Sequence, residues 1–146
     1  AAQHPHAFIY RGWEVNSTGN PLTHAVLRGY SDRFGHRIPN YHYEDLAALC
    51  QSYAARELSN RAILVDTNHA NSDKDALAQV RIAKEIMHSR RADADIGGMV
   101  KGLMIESYLE DGAQPVGGGV YGQSITDPCL GWDKTERLVL ELADRL

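Results

Sequence analysis

The 146-residue chain contains little cysteine, no excess of basic residues and no long apolar run. Two cysteines are too few for a disulfide framework, so we expect a reducing, cytoplasmic location. A net charge of −4 argues against nucleic acid or an anionic membrane surface as the main partner. No apolar run approaches the roughly 20 residues that span a bilayer, so no membrane partner is expected. The remaining composition is that of an ordinary single globular domain.

A predicted hairpin opens the chain and is followed by three successive pairs of strand and helix. The hairpin places two short strands around Arg11-Gly12 within residues 1–21 and ends in a cluster of turn-forming residues. The predicted strands are residues 24–30, 62–65 and 98–105, the predicted helices are residues 43–58, 73–88 and 133–146, and residues 31–41 and 110–131 are predicted loops. Near-continuous apolar runs are typical of parallel strands covered on both faces, so we expect an α/β fold.

Local signals predict the helix ends and the buried faces. Asn71 or Ser72 can cap the second helix, and Asp133 with Glu136 three positions on forms a capping box for the third. In the first helix Cys50 should be a small buried side chain. The inner face of the last helix should consist of Leu138, Val139, Leu142 and Leu146.

Polar side chains stand where each predicted strand ends. Arg28 ends the first strand, Asp66 and then His69 follow the second, Glu106 follows the third, and Asp127 lies in the loop beyond. Ligands of parallel α/β folds meet the carboxyl ends of the strands, and those ends lie at one edge of the sheet. The sequence therefore predicts that these side chains form one site.

The residue types indicate what this site would bind. His69, Glu106 and Asp127 suit a divalent cation such as manganese, iron, cobalt or zinc. Arg28 offers a rigid fork of donors for a phosphate or carboxylate beside that cation.

Each residue also has a purely structural interpretation. His69 can cap a helix, Glu106 can pair with Lys101 or Arg28, and Asp127 can be a turn residue. Arg28 can satisfy backbone carbonyls. The joint site is favoured because all of these alternatives would have to hold together at one edge of one sheet.

Four sequence motifs occur in an order and spacing that resemble a known family. They are LRGY at 27–30, DTNHANS at 66–72, GLMIESYL at 102–109 and YGQSITDPCLGW at 121–132. Over essentially its whole length the chain is similar to the C-terminal part of the type I 3-deoxy-D-arabino-heptulosonate 7-phosphate (DAHP) synthases.

The resemblance implies a (β/α)8 TIM barrel, of which residues 22–146 supply the last three strand-helix units and residues 1–21 a hairpin insertion. It implies a transferase that condenses phosphoenolpyruvate with erythrose 4-phosphate, releasing phosphate, in the first step of the shikimate pathway of aromatic amino acid biosynthesis. Arg28 would hold phosphoenolpyruvate, and His69 would be a catalytic metal ligand near that substrate. Glu106 and Asp127 would be the other metal ligands.

Several features of the family do not occur in this sequence. The family's cysteine metal ligand, its Lys-Pro-Arg-Thr loop for erythrose 4-phosphate, and a further arginine and lysine come from earlier strands, and Cys129 lies in the wrong motif to be that cysteine. We therefore expect a fragment that is inactive alone and needs the N-terminal part of the barrel, with a homo-oligomer expected at full length. The alternative is a stand-alone, non-catalytic relative that binds a partner or complements a split enzyme.

Overall fold

Strands and helices alternate along the chain after an N-terminal hairpin. The structure, a computed structural model, describes residues 2–144. Its strands are β1 (Ala7–Tyr10), β2 (Trp13–Asn16), β3 (Ala25–Leu27), β4 (Tyr30–Ser31), β5 (Arg37–Ile38), β6 (Ile63–Asp66) and β7 (Val100–Met104). Its helices are α1 (Tyr43–Ala54), α2 (Ala78–Ala92), α3 (Ala94–Met99) and α4 (Trp132–Ala143), and one 3-10 turn covers His69–Asn71. None of the helices within the described range is both long and apolar enough to cross a bilayer.

A parallel sheet in the order β3–β6–β7 forms the centre of the fold. Strands β1 and β2 pair as a separate antiparallel hairpin, as predicted, and β4 pairs with β5 in a second small hairpin. Within residues 2–144, β3 and β7 are the edge strands of the parallel sheet, and each has one side without a partner strand. The predicted α/β class with parallel strands is confirmed.

The core lies between one face of this sheet and the helices α1, α2 and α3. Ile63 and Val65 of β6 are fully buried there, and they belong to one cluster with Leu46, Cys50, Ile82, Ile86, Ile96 and Val100. The opposite face is less well covered: Val26 is 38% exposed and Met104 is 43% exposed. The expectation that both faces are covered therefore holds for one face only within the described residues.

The helix that follows β6 begins later than predicted. Asp73 and Lys74 have φ angles of 54° and 62°, in the left-handed region that a helix cannot include. Helix α2 therefore starts at Ala78, with Leu77 at its N-cap and no side-chain cap, so the prediction that Asn71 or Ser72 caps it was wrong.

Helix α3 was not predicted, and the predicted third strand began at Gly98, within this helix. Asp93 caps this short helix by accepting hydrogen bonds from the backbone N–H groups of Asp95 and Ile96. The third predicted strand is correspondingly shorter and starts at Val100. The other boundary errors are smaller: α1 ends at Ala54 rather than at 58, Gly29 interrupts the predicted strand 24–30, and the predicted loop 31–41 contains β5.

Helix α4 starts at Trp132 with Gly131 as its N-cap and no side-chain cap, so the predicted capping box of Asp133 and Glu136 was wrong. Leu138 is buried and Leu142 is partly buried, as predicted, whereas Val139 is 51% exposed. Leu146 lies outside the described residues.

Candidate metal centre

A tight turn after β6 positions the first candidate ligand. Asp66 ends the strand, and the chain then turns sharply into the 3-10 turn at His69, whose φ of 48° is left-handed. Asn68 is fully buried and fixes this turn: its amide nitrogen donates to the Pro128 carbonyl at 3.3 Å, and its amide oxygen accepts from the Ser72 hydroxyl at 2.8 Å. The imidazole is thus held at the carboxyl end of the sheet.

The three predicted metal ligands converge on one another. The distance from His69 Nε2 to Glu106 Oε1 is 3.1 Å, and the distance from the same nitrogen to Asp127 Oδ2 is 3.4 Å. One ligand atom from each residue lies within 4.8 Å of the other two, and all three residues are partly buried. The Glu106 carboxylate therefore faces His69, and the Asp127 carboxylate faces both His69 and Lys74.

Arg28 lies at the same edge of the sheet. Its Nε is 4.0 Å from Asp66 Oδ2, and its side chain is 56% exposed. The backbone of this region is docked onto the 3-10 turn, because the Arg28 carbonyl accepts from Ala70 N at 3.2 Å and the Asn71 side chain donates to the Leu27 carbonyl at 3.1 Å. The guanidinium is thus beside the cluster and accessible to an anion from solvent.

Gln79 of α2 positions Glu106 from behind, and no sequence pattern identified it. The Gln79 side chain is fully buried. Its amide oxygen accepts from the Glu106 backbone N–H at 2.9 Å and from the Thr67 hydroxyl at 2.9 Å, and its amide nitrogen donates to the Glu106 carbonyl at 3.0 Å. One helix side chain therefore connects the ends of β6 and β7.

Lys74 is a second residue that the sequence did not indicate. Its ammonium donates to Asp127 Oδ1 at 2.5 Å, and this contact is the main cause that holds the pKa of the Asp127 carboxyl below its usual value. The loop that carries Lys74 is fastened by Arg37, which donates to the carboxylate of Asp73 at 2.5 Å and to its carbonyl at 3.1 Å. Asp127 is therefore a carboxylate ready to act as a ligand.

The cysteine beside Asp127 is half-buried. The Cys129 thiol donates to the Asp127 carbonyl at 3.5 Å, and burial raises the pKa of this thiol. Within residues 2–144, the group of side chains that could hold a metal ion (the metal-type group) consists of His69, Glu106 and Asp127. It does not include this thiol.

The charges of the cluster fit a cation. His69 Nδ1 lies 2.7 Å from Asp66 Oδ2, so Nδ1 carries the proton of that hydrogen bond. The other ring nitrogen then faces the oxygens of Glu106 and Asp127. The lone pair on Nε2 and the two carboxylates repel one another unless a positive charge lies between them. That charge can be a proton on Nε2 or a metal ion. One nitrogen and two oxygen donors suit manganese, iron, cobalt or zinc.

Parallel strands with a nitrogen- and oxygen-donor cluster at their carboxyl ends define an α/β protein with a metal-type site. Residues 1–140 match the sequence model of the DAHP synthetase I family, and the chain belongs to that family. The family assignment made from the four motifs is thereby confirmed.

Individual relatives agree with this assignment. The chain is 39% identical over 130 residues to the Trp-sensitive phospho-2-dehydro-3-deoxyheptonate aldolase of Escherichia coli O6:H1, a match that covers 87% of this chain and 34% of that protein. It is 34% identical to the phospho-2-dehydro-3-deoxyheptonate aldolase of Haemophilus influenzae, covering 99% of this chain and 40% of that protein. The chain thus spans 34% and 40% of the lengths of these two curated relatives.

A solved structure gives the same result for the fold. The phospho-2-dehydro-3-deoxyheptonate aldolase of Francisella tularensis SCHU S4 superimposes with a TM-score of 0.80 at 27% sequence identity. The match covers 99% of this chain and 41% of that one. The arrangement of strands and helices is therefore similar to that of part of this relative.

Proposed function

We propose that residues 1–146 are part of a DAHP synthase, which condenses phosphoenolpyruvate with erythrose 4-phosphate and releases phosphate. The observation that carries the proposal is the cluster of His69, Glu106 and Asp127 beside Arg28, in a chain of the DAHP synthetase I family. Each of these residues follows a different strand or loop, so a shared site is the simplest reason for their convergence.

The proposal includes further strands that complete a TIM barrel. Strands β3 and β7 each have an unpaired side within residues 2–144, and the sheet face that carries Val26 and Met104 is partly exposed. Additional strands on both sides would pair these edges and cover that face. In this interpretation residues 22–146 are the last three strand-helix units and residues 1–21 are a hairpin insertion. The separate pairing of β1 with β2 supports that division.

The proposed metal ligands are His69, Glu106 and Asp127. These residues would hold a divalent metal, which would supply Lewis-acid chemistry suited to the aldehyde of erythrose 4-phosphate. Lys74 keeps Asp127 ionised and oriented by its hydrogen bond. Arg28 binds the anionic groups of phosphoenolpyruvate, which brings the substrate close to the site and neutralises its charge.

The same proposal implies that residues 1–146 are inactive by themselves. The Lys-Pro-Arg-Thr loop and the cysteine ligand of the family do not occur in this sequence. The second candidate function is that of a non-catalytic relative that binds a partner or complements a split enzyme but does not condense the two substrates.

The test is activity in the full polypeptide that contains residues 1–146. His69→Ala should reduce DAHP formation by more than the roughly 10- to 100-fold that changes behind a metal ligand cause. His88→Ala is the matched control, because His88 lies exposed on α2 and should leave activity unchanged.

Two outcomes contradict the catalytic proposal in different ways. Near-wild-type turnover in His69→Ala would remove the assigned role of the histidine. A wild-type polypeptide that binds manganese but forms no DAHP would support the non-catalytic alternative instead.

A further inference from the structure

We propose that Asp66 is the positioning residue that sets the tautomer and orientation of His69, and thereby the metal affinity of the site. The inference rests on the proposed metal site and concerns a residue that is not itself one of the proposed ligands. It follows from three contacts of one buried carboxylate.

Asp66 is only 2% exposed, although it carries a charge at the end of a strand. Its Oδ1 accepts from the Asn68 backbone N–H at 2.8 Å, and its Oδ2 accepts from His69 Nδ1 at 2.7 Å. Arg28 Nε lies 4.0 Å from the same Oδ2. A buried carboxylate is tolerated only when it is hydrogen-bonded and compensated, and these contacts supply both conditions.

The carboxylate is held in a fixed position by the sheet. Asp66 is paired with Met104 in the parallel ladder, and its backbone carbonyl accepts from the Asn71 side chain at 2.7 Å. The acceptor oxygen therefore has a defined position relative to β7, whose end carries Glu106. A hydrogen bond from this oxygen to the ring can orient the imidazole toward the other ligands.

The hydrogen bond has a chemical consequence for the opposite side of the ring. An acceptor at Nδ1 keeps the proton on that nitrogen and leaves the lone pair on Nε2, the atom that faces Glu106 and Asp127. Carboxylates behind metal-bound histidines also raise the basicity of the ligating nitrogen. Asp66 therefore presents His69 as a metal ligand before any metal arrives.

The backbone of His69 gives a second reason for a positioning group. Its φ of 48° is rare for a residue other than glycine and disfavours the turn. The hydrogen bond between His69 and Asp66 joins residues three positions apart across this turn and helps to stabilise it.

A matched pair elsewhere in the fold provides the control. His42 Nδ1 also lies 2.7 Å from a carboxylate oxygen, that of Glu85, but this pair is outside the metal-type group. Asp66→Asn and Glu85→Gln make the same chemical change, from carboxylate to amide, at the two pairs. Only Asp66→Asn should change the metal affinity of the site.

The experiment measures manganese dissociation constants by calorimetry in the full polypeptide that contains residues 1–146, after circular dichroism has established that each variant is folded. Asp66→Asn should bind manganese about 10- to 100-fold more weakly than the wild type. Glu85→Gln should bind it with unchanged affinity. A purely structural role for Asp66 would lower the melting temperature of Asp66→Asn and leave its manganese affinity unchanged, which would overturn the inference.

A measurement on the wild type decides the matter if Asp66→Asn does not fold. With zinc bound and histidine labelled with nitrogen-15, His69 should show a protonated Nδ1 and a metal-bound Nε2. A protonated Nε2 would overturn the inference. A wild-type polypeptide that binds neither metal would overturn the proposed function as well, whereas normal manganese binding by Asp66→Asn would overturn the role of Asp66 alone.

Discussion

Replacing Gln79 by leucine tests whether α2 holds the end of β7 in place. Leucine has a similar volume but removes all three hydrogen bonds of the buried amide. The Thr67 hydroxyl keeps its bond to the Met104 carbonyl, and the Glu106 carbonyl keeps its bond from Leu130 N. The Glu106 N–H therefore loses the partner that Gln79 supplied.

These contacts allow an estimate of the loss. An unsatisfied buried N–H costs about 1–3 kcal/mol, and each of the other two lost bonds costs about 0.5–1.5 kcal/mol. We therefore expect Gln79→Leu to lower the free energy of unfolding by about 2–6 kcal/mol. Manganese affinity should fall as well, because the backbone that carries Glu106 is no longer anchored.

The assay is urea unfolding of the full polypeptide followed by circular dichroism, with chelator present so that metal binding does not contribute to stability. Gln114→Leu is the matched control, because the Gln114 amide also makes three hydrogen bonds, to Val120 and Gln123, but in a partly exposed loop. Water can replace those bonds, so its loss should stay below about 1 kcal/mol. Equal losses in the two variants would refute the reasoning.

Three further predictions concern the surroundings of the site. Arg28→Lys should raise the KM for phosphoenolpyruvate about tenfold and leave manganese affinity unchanged, because lysine lacks the fork of donors. Gly29→Ala should lower the melting temperature more than Gly35→Ala: both glycines have positive φ, but a Cβ at Gly29 would come within 2.7 Å of another side chain, whereas nothing lies within 4 Å at Gly35. The Lys134 ammonium is the main cause that lowers the pKa of Asp111, so this carboxylate stabilises the fold above the usual value of 3.8 and loses that effect as the pH falls through its folded pKa. Asp111→Asn should therefore flatten the acid side of a plot of melting temperature against pH.

Each of these predictions has a contrary result. An unchanged KM in Arg28→Lys would show that the guanidinium does not contact the substrate. Equal melting temperatures in Gly29→Ala and Gly35→Ala would show that the backbone near Arg28 is not tightly packed. If the melting temperature of Asp111→Asn fell as steeply at acid pH as that of the wild type, the pH dependence would belong to other groups.

The convergence of the site could be predicted because it follows from topology. His69 and Glu106 come after neighbouring parallel strands, and such strands end at the same edge of a sheet. The apolar runs at 62–65 and 98–105 were enough to indicate those strands. Asp66 also had a usable signal, since it ends a strand three residues before the histidine.

Other features depend on contacts that no local pattern records. Gln79 lies on the buried face of α2 with Ile82 and Ala83, where an apolar side chain is expected, and only its hydrogen bonds to Glu106 explain a buried amide there. The start of α2 depends on the left-handed backbone at Asp73 and Lys74, which a contact with Arg37 of the distant strand β5 stabilises. Helix α3 was missed because glycine disfavours helices, whereas here packing against α1 and α2 outweighs that propensity.

The most direct test of the metal site is anomalous diffraction from crystals of the full polypeptide grown with manganese. The structure predicts one strong peak bonded to His69 Nε2 and to the carboxylates of Glu106 and Asp127, at distances of about 2.0–2.3 Å. A manganese ion bound at other residues, with His69 Nε2 still in contact with Glu106, would contradict it.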